Sequence, residues 1–151
     1  MNRRPLTASL TIVCWLTALA AFGADKTVTV QIRVDSEAVG FEGYRAMDGD
    51  PKTMWHTDYE FQQTAHPHEI VVDLGAPYEL SGFAYLPRQG GGNGTIGRYE
   101  CYVSDNGKDF GKPVEGGNFG RRNGEHVVQF VEKLKCRYVK LRALSEVSGQ
   151  P

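Results

Sequence analysis

The chain has 151 residues, of which 23% are charged and 40% hydrophobic, and its formal net charge is −1 at pH 7. This length suits one domain with its own core and is short for two. The chain has no basic stripe, which disfavours nucleic acid as a partner. Its 18 glycines follow no regular period, which excludes a collagen-like chain.

The N-terminal segment has the features of a secretory signal peptide. A short basic start, Asn2-Arg3-Arg4, precedes an uncharged apolar run over residues 10–22, and small residues follow at a spacing that suits signal peptidase. The run is too short for a comfortable membrane anchor, which takes about 20 apolar residues. We therefore expect residues 1–24 to be removed, leaving a secreted or periplasmic domain over residues 25–151.

The remaining chain consists of short extended runs divided by glycine, proline, asparagine and aspartate. Apolar and polar residues alternate in these runs, and β-branched and aromatic residues dominate them, as in half-buried strands. No segment has a long helical period, so the sequence predicts an all-β sandwich or barrel with breaks at Asn106-Gly107 and at Gly116-Gly117-Asn118. The predicted strands cover residues 27–34, 69–74, 80–86, 98–104, 126–131 and 137–144.

Two cysteines, Cys101 and Cys136, lie in predicted strands of the exported part. A disulfide would require these strands to be neighbours with suitable Cβ directions. Two buried free thiols are the favoured alternative, and the sequence leaves the question open.

A tight acidic turn, Asp48-Gly49-Asp50-Pro51-Lys52-Thr53, carries two carboxylates and a hydroxyl. Hard cations such as Ca²⁺ bind six to eight oxygen ligands, and such a turn can supply several of them. The alternative is an Asx turn, in which the carboxylates accept hydrogen bonds from nearby backbone N–H groups.

No catalytic motif stands out. Ser81 and Ser104 lack the Gly-x-Ser-x-Gly context of a nucleophile elbow, and nothing marks a carboxylate pair for glycoside hydrolysis. His66 and His68 would face the same side of a strand, but no further histidine or cysteine lies nearby in sequence to complete a zinc site. We therefore expect a binding protein that is not an enzyme.

Six landmarks in order make the chain similar to the coagulation factor five/eight type C (discoidin-like) domain, especially its family 32 carbohydrate-binding branch. The resemblance implies a jelly-roll β-sandwich of about eight main strands. It also implies a secreted, non-catalytic module that recognises terminal galactose-like glycans. The landmarks are Ala46-x-Asp48-Gly49-Asp50 with Thr53 and Trp55, Asp73-Leu74-Gly75, residues 80–86, Leu86-Pro87-Arg88-Gln89, residues 99–107 and residues 137–141.

The same resemblance implies a sugar site built from loops. In galactose-binding relatives the histidine at the position of His56 hydrogen-bonds an axial hydroxyl, and an aromatic residue at the position of Tyr59 stacks on the sugar face. Arg88 would donate to adjacent hydroxyls with its guanidinium fork, and Asn93 would add an amide contact. A carboxylate acceptor is expected from Glu42 or Glu37, between which the sequence does not choose. The simpler alternatives are a loop histidine at position 56 and a turn or glycosylation asparagine at position 93.

The resemblance further implies a structural Ca²⁺ in the acidic turn, held by the backbone oxygen of Ala46 and by Asp48, Asp50 and Thr53. Similar domains continue past the position of Pro151 with a tryptophan-containing loop and a final strand that carries a glutamate. We therefore expect a longer natural product, with a catalytic domain elsewhere in a glycan-processing protein, or a domain of marginal stability.

The alternative function is a discoidin domain that binds protein or phospholipid at a cell surface. Relatives of that kind use exposed apolar loop tips with basic neighbours. Here the candidate tip, Tyr59-Glu60-Phe61, has few cations around it, so membrane binding is disfavoured.

Overall fold

The computed structural model describes residues 10–12, 29–62, 64–90 and 93–149. Within these ranges no helix has the length and apolar character that crossing a membrane requires. The only helix there is a short 3₁₀ turn, Gly43–Met47. The strands are β1 (Leu10–Ile12), β2 (Gln31–Val34), β3 (His68–Tyr85), β4 (Arg98–Ser104), β5 (Glu115–Asn118) and β6 (His126–Ala143).

Strands β3 and β6 are long, antiparallel and paired with each other from end to end. The first half of β3 pairs with β2 and with the second half of β6, which pairs with β4, and β4 pairs with β5. The second half of β3 pairs with the first half of β6 and with β1. The pair therefore contributes to a five-stranded part and to a three-stranded part of one continuous sheet.

Irregularities in the β3–β6 ladder mark where the two parts of the sheet meet. The register shifts between Asp73 and Tyr78 and again between Leu80 and Gly82, as β-bulges do where paired strands bend. A side chain at Gly82 would lie 2.0 Å from the carbonyl oxygen of Val128. The close approach of the two backbones at the second shift therefore requires glycine.

The core lies between the two parts of the sheet. Ile70, Val72 and Leu141 come from the five-stranded part and are almost fully buried. Phe83 from the three-stranded part packs edge-on against Tyr99 of β4, with ring centroids 5.8 Å apart. Edge-to-face pairs of this kind suit the charge distribution of aromatic rings. Two sheet layers that share one apolar core form a β-sandwich.

The predicted all-β jelly-roll fold is confirmed. The bounds of β4 match the prediction at both ends, whereas β3 joins two predicted strands and β6 joins two more. Counting each bent strand as two gives eight strands among the described residues. The break predicted at Gly116 was wrong, since Gly116 and Gly117 lie in β5 and pair with Glu100 and Tyr99.

Strand β1 belongs to the segment that the sequence predicts to be a signal peptide. Its three residues lie parallel to residues 83–85 of β3, at the edge of the three-stranded part. Most of residues 1–24 lie outside the described residues, and their removal stays a prediction.

Both cysteines within the described ranges are free and buried. The strand register places Leu141, not Cys136, opposite Cys101. Burial raises the pKa of the Cys101 thiol to about 12 and that of the Cys136 thiol to about 11. Because the thiolate is the reactive form, both groups should be inert in the native protein.

We expect Cys101 and Cys136 to resist alkylation by iodoacetamide in the folded protein at pH 8, and to react fully once guanidinium unfolds it. The extent of labelling is measured by mass spectrometry on the separated peptides. Labelling of Cys14, which lies in the predicted signal peptide, is then not counted with that of the other two. Rapid native labelling of either thiol, or failure of both to react in the unfolded chain, would contradict the buried free state.

Candidate functional site

A cavity of about 400 Å³ opens among the loops that surround the end of β3. Its lining comes from several stretches of chain, which include the acidic turn, the segment after Trp55 and the loop after Tyr85. Four of the predicted sugar-binding residues line it together. They are His56, Tyr59, Arg88 and Asn93.

His56 is fixed in position by its backbone and by its ring. Its backbone oxygen accepts from Ala38 N at 2.9 Å, and its backbone N–H donates to Phe41 O at 3.1 Å. Its ring Nδ1 lies 2.8 Å from the backbone oxygen of Thr57. Because a carbonyl oxygen can only accept, Nδ1 carries the proton, and Nε2 of the neutral ring is an acceptor. His56 can therefore accept a hydrogen bond from a ligand hydroxyl group.

Tyr59 lies beside His56 on the same rim of the cavity. The two rings meet edge to face with centroids 5.2 Å apart. Phe41 contacts both of them, at 6.3 Å from the His56 ring and 6.4 Å from the Tyr59 ring. Phe41 was not predicted as part of this arrangement, because its place beside His56 depends on a pairing between residues that are distant in sequence.

Arg88 and Asn93 also line the cavity. Arg88 Nη1 donates to Asn93 Oδ1 at 2.8 Å and to its backbone oxygen at 3.2 Å. Arg88 Nε is buried and has no hydrogen-bond partner within the described part of the chain. Since buried polar groups are normally paired, this N–H is a donor that no acceptor among the described residues satisfies. Asn93 both lines the cavity and orients the guanidinium group.

Gly94 brings the loop that follows Arg88 into contact with the His56 ring. Its φ of +79° is in the left-handed region, which favours glycine, and a Cβ there would lie 3.0 Å from His56 Nε2. The Asn-Gly pair signals a turn in the sequence, but the contact with His56 could not be read from it. Gln89 steadies the same loop, since its amide nitrogen donates to Pro87 O at 2.7 Å and to Asn123 O at 3.0 Å.

The inner part of the cavity holds a group of titratable side chains. His68 Nδ1 lies 2.9 Å from Asp35 Oδ2, and the rings of His66 and His68 are 4.9 Å apart. Burial, followed by the proximity of His68, lowers the pKa of His66. Glu146 is buried nearby and accepts a hydrogen bond from Ser148 N. No cluster of three or more histidine, cysteine, aspartate or glutamate side chains suited to a metal ion occurs in the described ranges.

Glu42 and Glu37 are not brought into the cavity lining. The Glu42 carboxylate accepts from Gly40 N at 2.8 Å and from Arg45 Nε at 2.7 Å, and the latter bond is the main cause that lowers the pKa of Glu42 to about 2. Glu37 accepts from Gly43 N at 2.8 Å. Both carboxylates therefore hold the loop that carries Phe41, and direct sugar contact by Glu42 stays a prediction.

The acidic turn lies at another edge of the same cavity, where Ala46 and Thr53 are part of the lining. Thr53 Oγ1 lies 2.7 Å from Asp48 Oδ2 and 3.0 Å from the backbone oxygen of Asp50. Asp48 Oδ1 accepts from Asp50 N at 3.0 Å, which is the geometry of an Asx turn. Three oxygen atoms therefore converge at Thr53, a donor set of the kind that Ca²⁺ prefers.

The bent β-sandwich with a loop-built cavity at one end defines a discoidin-like module. A family model described as "F5/8 type C domain" matches residues 29–151, and the chain therefore belongs to that family.

Two solved relatives are family 32 carbohydrate-binding modules of Clostridium perfringens. CpGH89CBM32-5, in complex with GalNAc-β-1,3-galactose, is 36% identical with a TM-score of 0.73 over 80% of this chain and 87% of that one. The module from NanJ, in complex with galactose, is 30% identical with a TM-score of 0.70 over 80% and 85%.

Longer proteins also contain a segment similar to this chain. A galactose oxidase of Gibberella zeae is 37% identical over 122 residues, which are 80% of this chain and 18% of the relative. A sialidase of Micromonospora viridifaciens is 38% identical over 120 residues, 77% of this chain and 18% of the relative. The chain thus spans less than a fifth of the length of these curated relatives.

We expect Gly94→Ala to destabilise the protein by roughly 2–3 kcal/mol and to displace the His56 ring, because it adds a close contact to the backbone strain. Gly90→Ala is the matched control, since Gly90 also has positive φ but no described residue within 4 Å of a Cβ, and it should cost only about 1–2 kcal/mol. Denaturant unfolding and the imidazole NMR signals of His56 are measured for both. Equal stability and unchanged His56 signals in the two variants would refute the role of Gly94.

Proposed function

We propose that this chain is a secreted or periplasmic carbohydrate-binding module that holds a terminal galactose-like sugar and performs no chemistry on it. The observation that carries the proposal is the convergence of His56, Tyr59, Arg88 and Asn93 on one cavity. The galactose complex of the NanJ module supports the same class of ligand.

The chemistry of the cavity suits a sugar because a sugar has an apolar C–H face and hydroxyl groups of fixed orientation. The exposed Tyr59 ring offers an apolar surface for that face. His56 Nε2 accepts from one hydroxyl, and the Arg88 guanidinium donates to others. An acceptor and several donors in one cavity select for hydroxyl orientation, because a misplaced hydroxyl leaves a polar group without a partner.

We further propose that catalysis belongs to another part of a longer protein. The support is that the matching segment makes up 18% of the galactose oxidase and 18% of the sialidase. A module that binds a product or neighbouring sugar keeps a tethered catalytic domain close to its substrate, since linkage raises the effective concentration. Export is supported by the sequence of residues 1–24.

We also propose that the acidic turn binds a structural Ca²⁺. The residues that would hold it are Ala46 through its backbone oxygen, Asp48, Asp50 and Thr53. When bound, the ion would replace the hydrogen bonds among these oxygens and would fix the turn at the edge of the cavity. The convergence of oxygen atoms at Thr53 supports this proposal.

Arg88→Ala should weaken galactose binding by about ten- to a hundredfold, because hydrogen bonds to a charged group contribute roughly 1.5–3 kcal/mol. Arg98→Ala is the matched control, since Arg98 is exposed on β4 and is no part of the cavity lining. Affinity is measured by isothermal titration calorimetry, and folding by circular dichroism. Wild-type galactose affinity in folded Arg88→Ala would contradict the proposed site.

Ca²⁺ should raise the melting temperature relative to EDTA by several degrees, since an ion at 100 times its Kd stabilises by about 2.7 kcal/mol. Asp48→Asn should abolish this difference, and Asp105→Asn, which changes an exposed carboxylate outside the turn, should preserve it. The measurement is differential scanning calorimetry of each variant with and without the ion. The same melting temperature in Ca²⁺ and in EDTA for the wild type would refute the calcium proposal.

A further inference from the structure

A second aromatic side chain, Phe61, follows the lining residue Tyr59 by two positions and is 81% exposed. A single exposed apolar residue is common on protein surfaces and by itself means little. Phe61 differs because its backbone is held in an ordered turn next to the proposed sugar site.

The turn that carries Phe61 is built on Asp58. Asp58 Oδ1 accepts from Glu60 N at 2.9 Å and from Phe61 N at 3.0 Å, and these bonds lower the pKa of Asp58. The backbone of Asp58 is anchored in turn, because its N–H donates to Ser36 Oγ at 2.9 Å. Phe61 is therefore exposed on a fixed support, which reduces the entropy that a contact with a ligand would cost.

Residues of the cavity lining lie close to Phe61 in the chain. Tyr59 lines the cavity before Phe61, and Thr64 lines it after Phe61. Phe61 therefore lies two residues beyond a lining residue, and its side chain is exposed to solvent.

A second apolar side chain is exposed on the neighbouring loop. Val39 is 84% exposed, at the tip of a turn closed by the pairing of Ala38 with Phe41. This turn is bonded to the backbone of His56, and the Phe41 ring contacts the Tyr59 ring. Both loops beside the His56–Tyr59 rim thus present an apolar side chain to solvent.

We propose that Phe61, with Val39 on the adjacent loop, forms a second subsite that binds the sugar ring next to the terminal one. The inference depends on the proposed function, because it presumes that the terminal sugar occupies the cavity between His56 and Arg88. The apolar face of the second ring would lie on Phe61, outside the cavity. This position is expected because the rest of a sugar chain leads away from its terminal ring. Phe61 then favours oligosaccharides over single sugars.

The local charge favours this occupant over a lipid surface. Phe61 is flanked by Glu60 and follows Asp58, and both carboxylates would be repelled by anionic headgroups. Membrane-binding apolar tips gain their strength from basic neighbours, whereas a neutral sugar is not affected by these carboxylates.

The test compares galactose, GalNAc and the disaccharide GalNAc-β-1,3-galactose as ligands of the purified protein. Isothermal titration calorimetry gives the ratio of disaccharide to monosaccharide affinity for the wild type, Phe61→Ser, Phe61→Tyr and Val131→Ser. Val131 is 99% exposed on β6 and is no part of the cavity lining, so its replacement controls for loss of an exposed apolar side chain. Vesicles with and without anionic lipid serve as the competing surface.

We expect the wild type, Phe61→Tyr and Val131→Ser to bind the disaccharide about three- to tenfold more tightly than the better of the two single sugars. In Phe61→Ser the ratio should fall to about one. Tight binding of single sugars with no preference for the disaccharide, or a preference that Phe61→Ser retains, would overturn the second subsite while leaving the proposed function intact. Absence of any sugar binding by the folded wild type would overturn both the second subsite and the proposed function. Vesicle binding that depends on Phe61, in a protein that binds no sugar, would do the same.

Discussion

The whole architecture depends on the pairing of β3 with β6 through a bend. A flat ladder of this length would leave an apolar face exposed on each side of the bend, whereas the bent ladder folds those faces against each other. The shifts after Asp73 and before Gly82 make the bend possible. Gly82 is needed there because any side chain would meet the backbone of β6. The same geometry carries β3 out of the core at Tyr85, so the loop that begins with Leu86 reaches the cavity.

Hydrogen bonds within the protein hold the residues of the candidate site in place. His56 is set by the backbone of Ala38 and Phe41 and by Thr57 O, while Arg88 is oriented by Asn93. Such support fixes donors and acceptors before a ligand arrives, which lowers the entropic cost of binding. Glu37 and Glu42 hydrogen-bond the backbone of a supporting loop, and sugar contact by either of them stays a prediction.

Much of the fold was accessible from the sequence, because alternation of apolar residues reports a half-buried strand directly. This rule predicted both ends of β4 correctly. It divided β3 and β6 at their bends, since a bulge interrupts the alternation without ending the strand. It missed β5, whose glycines signal a turn when taken alone. The motifs around His56 and Arg88 indicated a common site. The roles of Phe41 and Gly94 could not be predicted, because they arise from contacts made only in the folded chain.

The most direct test of the proposed function is a crystal structure of the protein with galactose bound. The sugar should lie in the cavity with one hydroxyl within about 3 Å of His56 Nε2, others bonded to the Arg88 guanidinium, and its apolar face on Tyr59. Galactose bound at another surface, with His56 and Arg88 making no contact to it, would refute the proposed site.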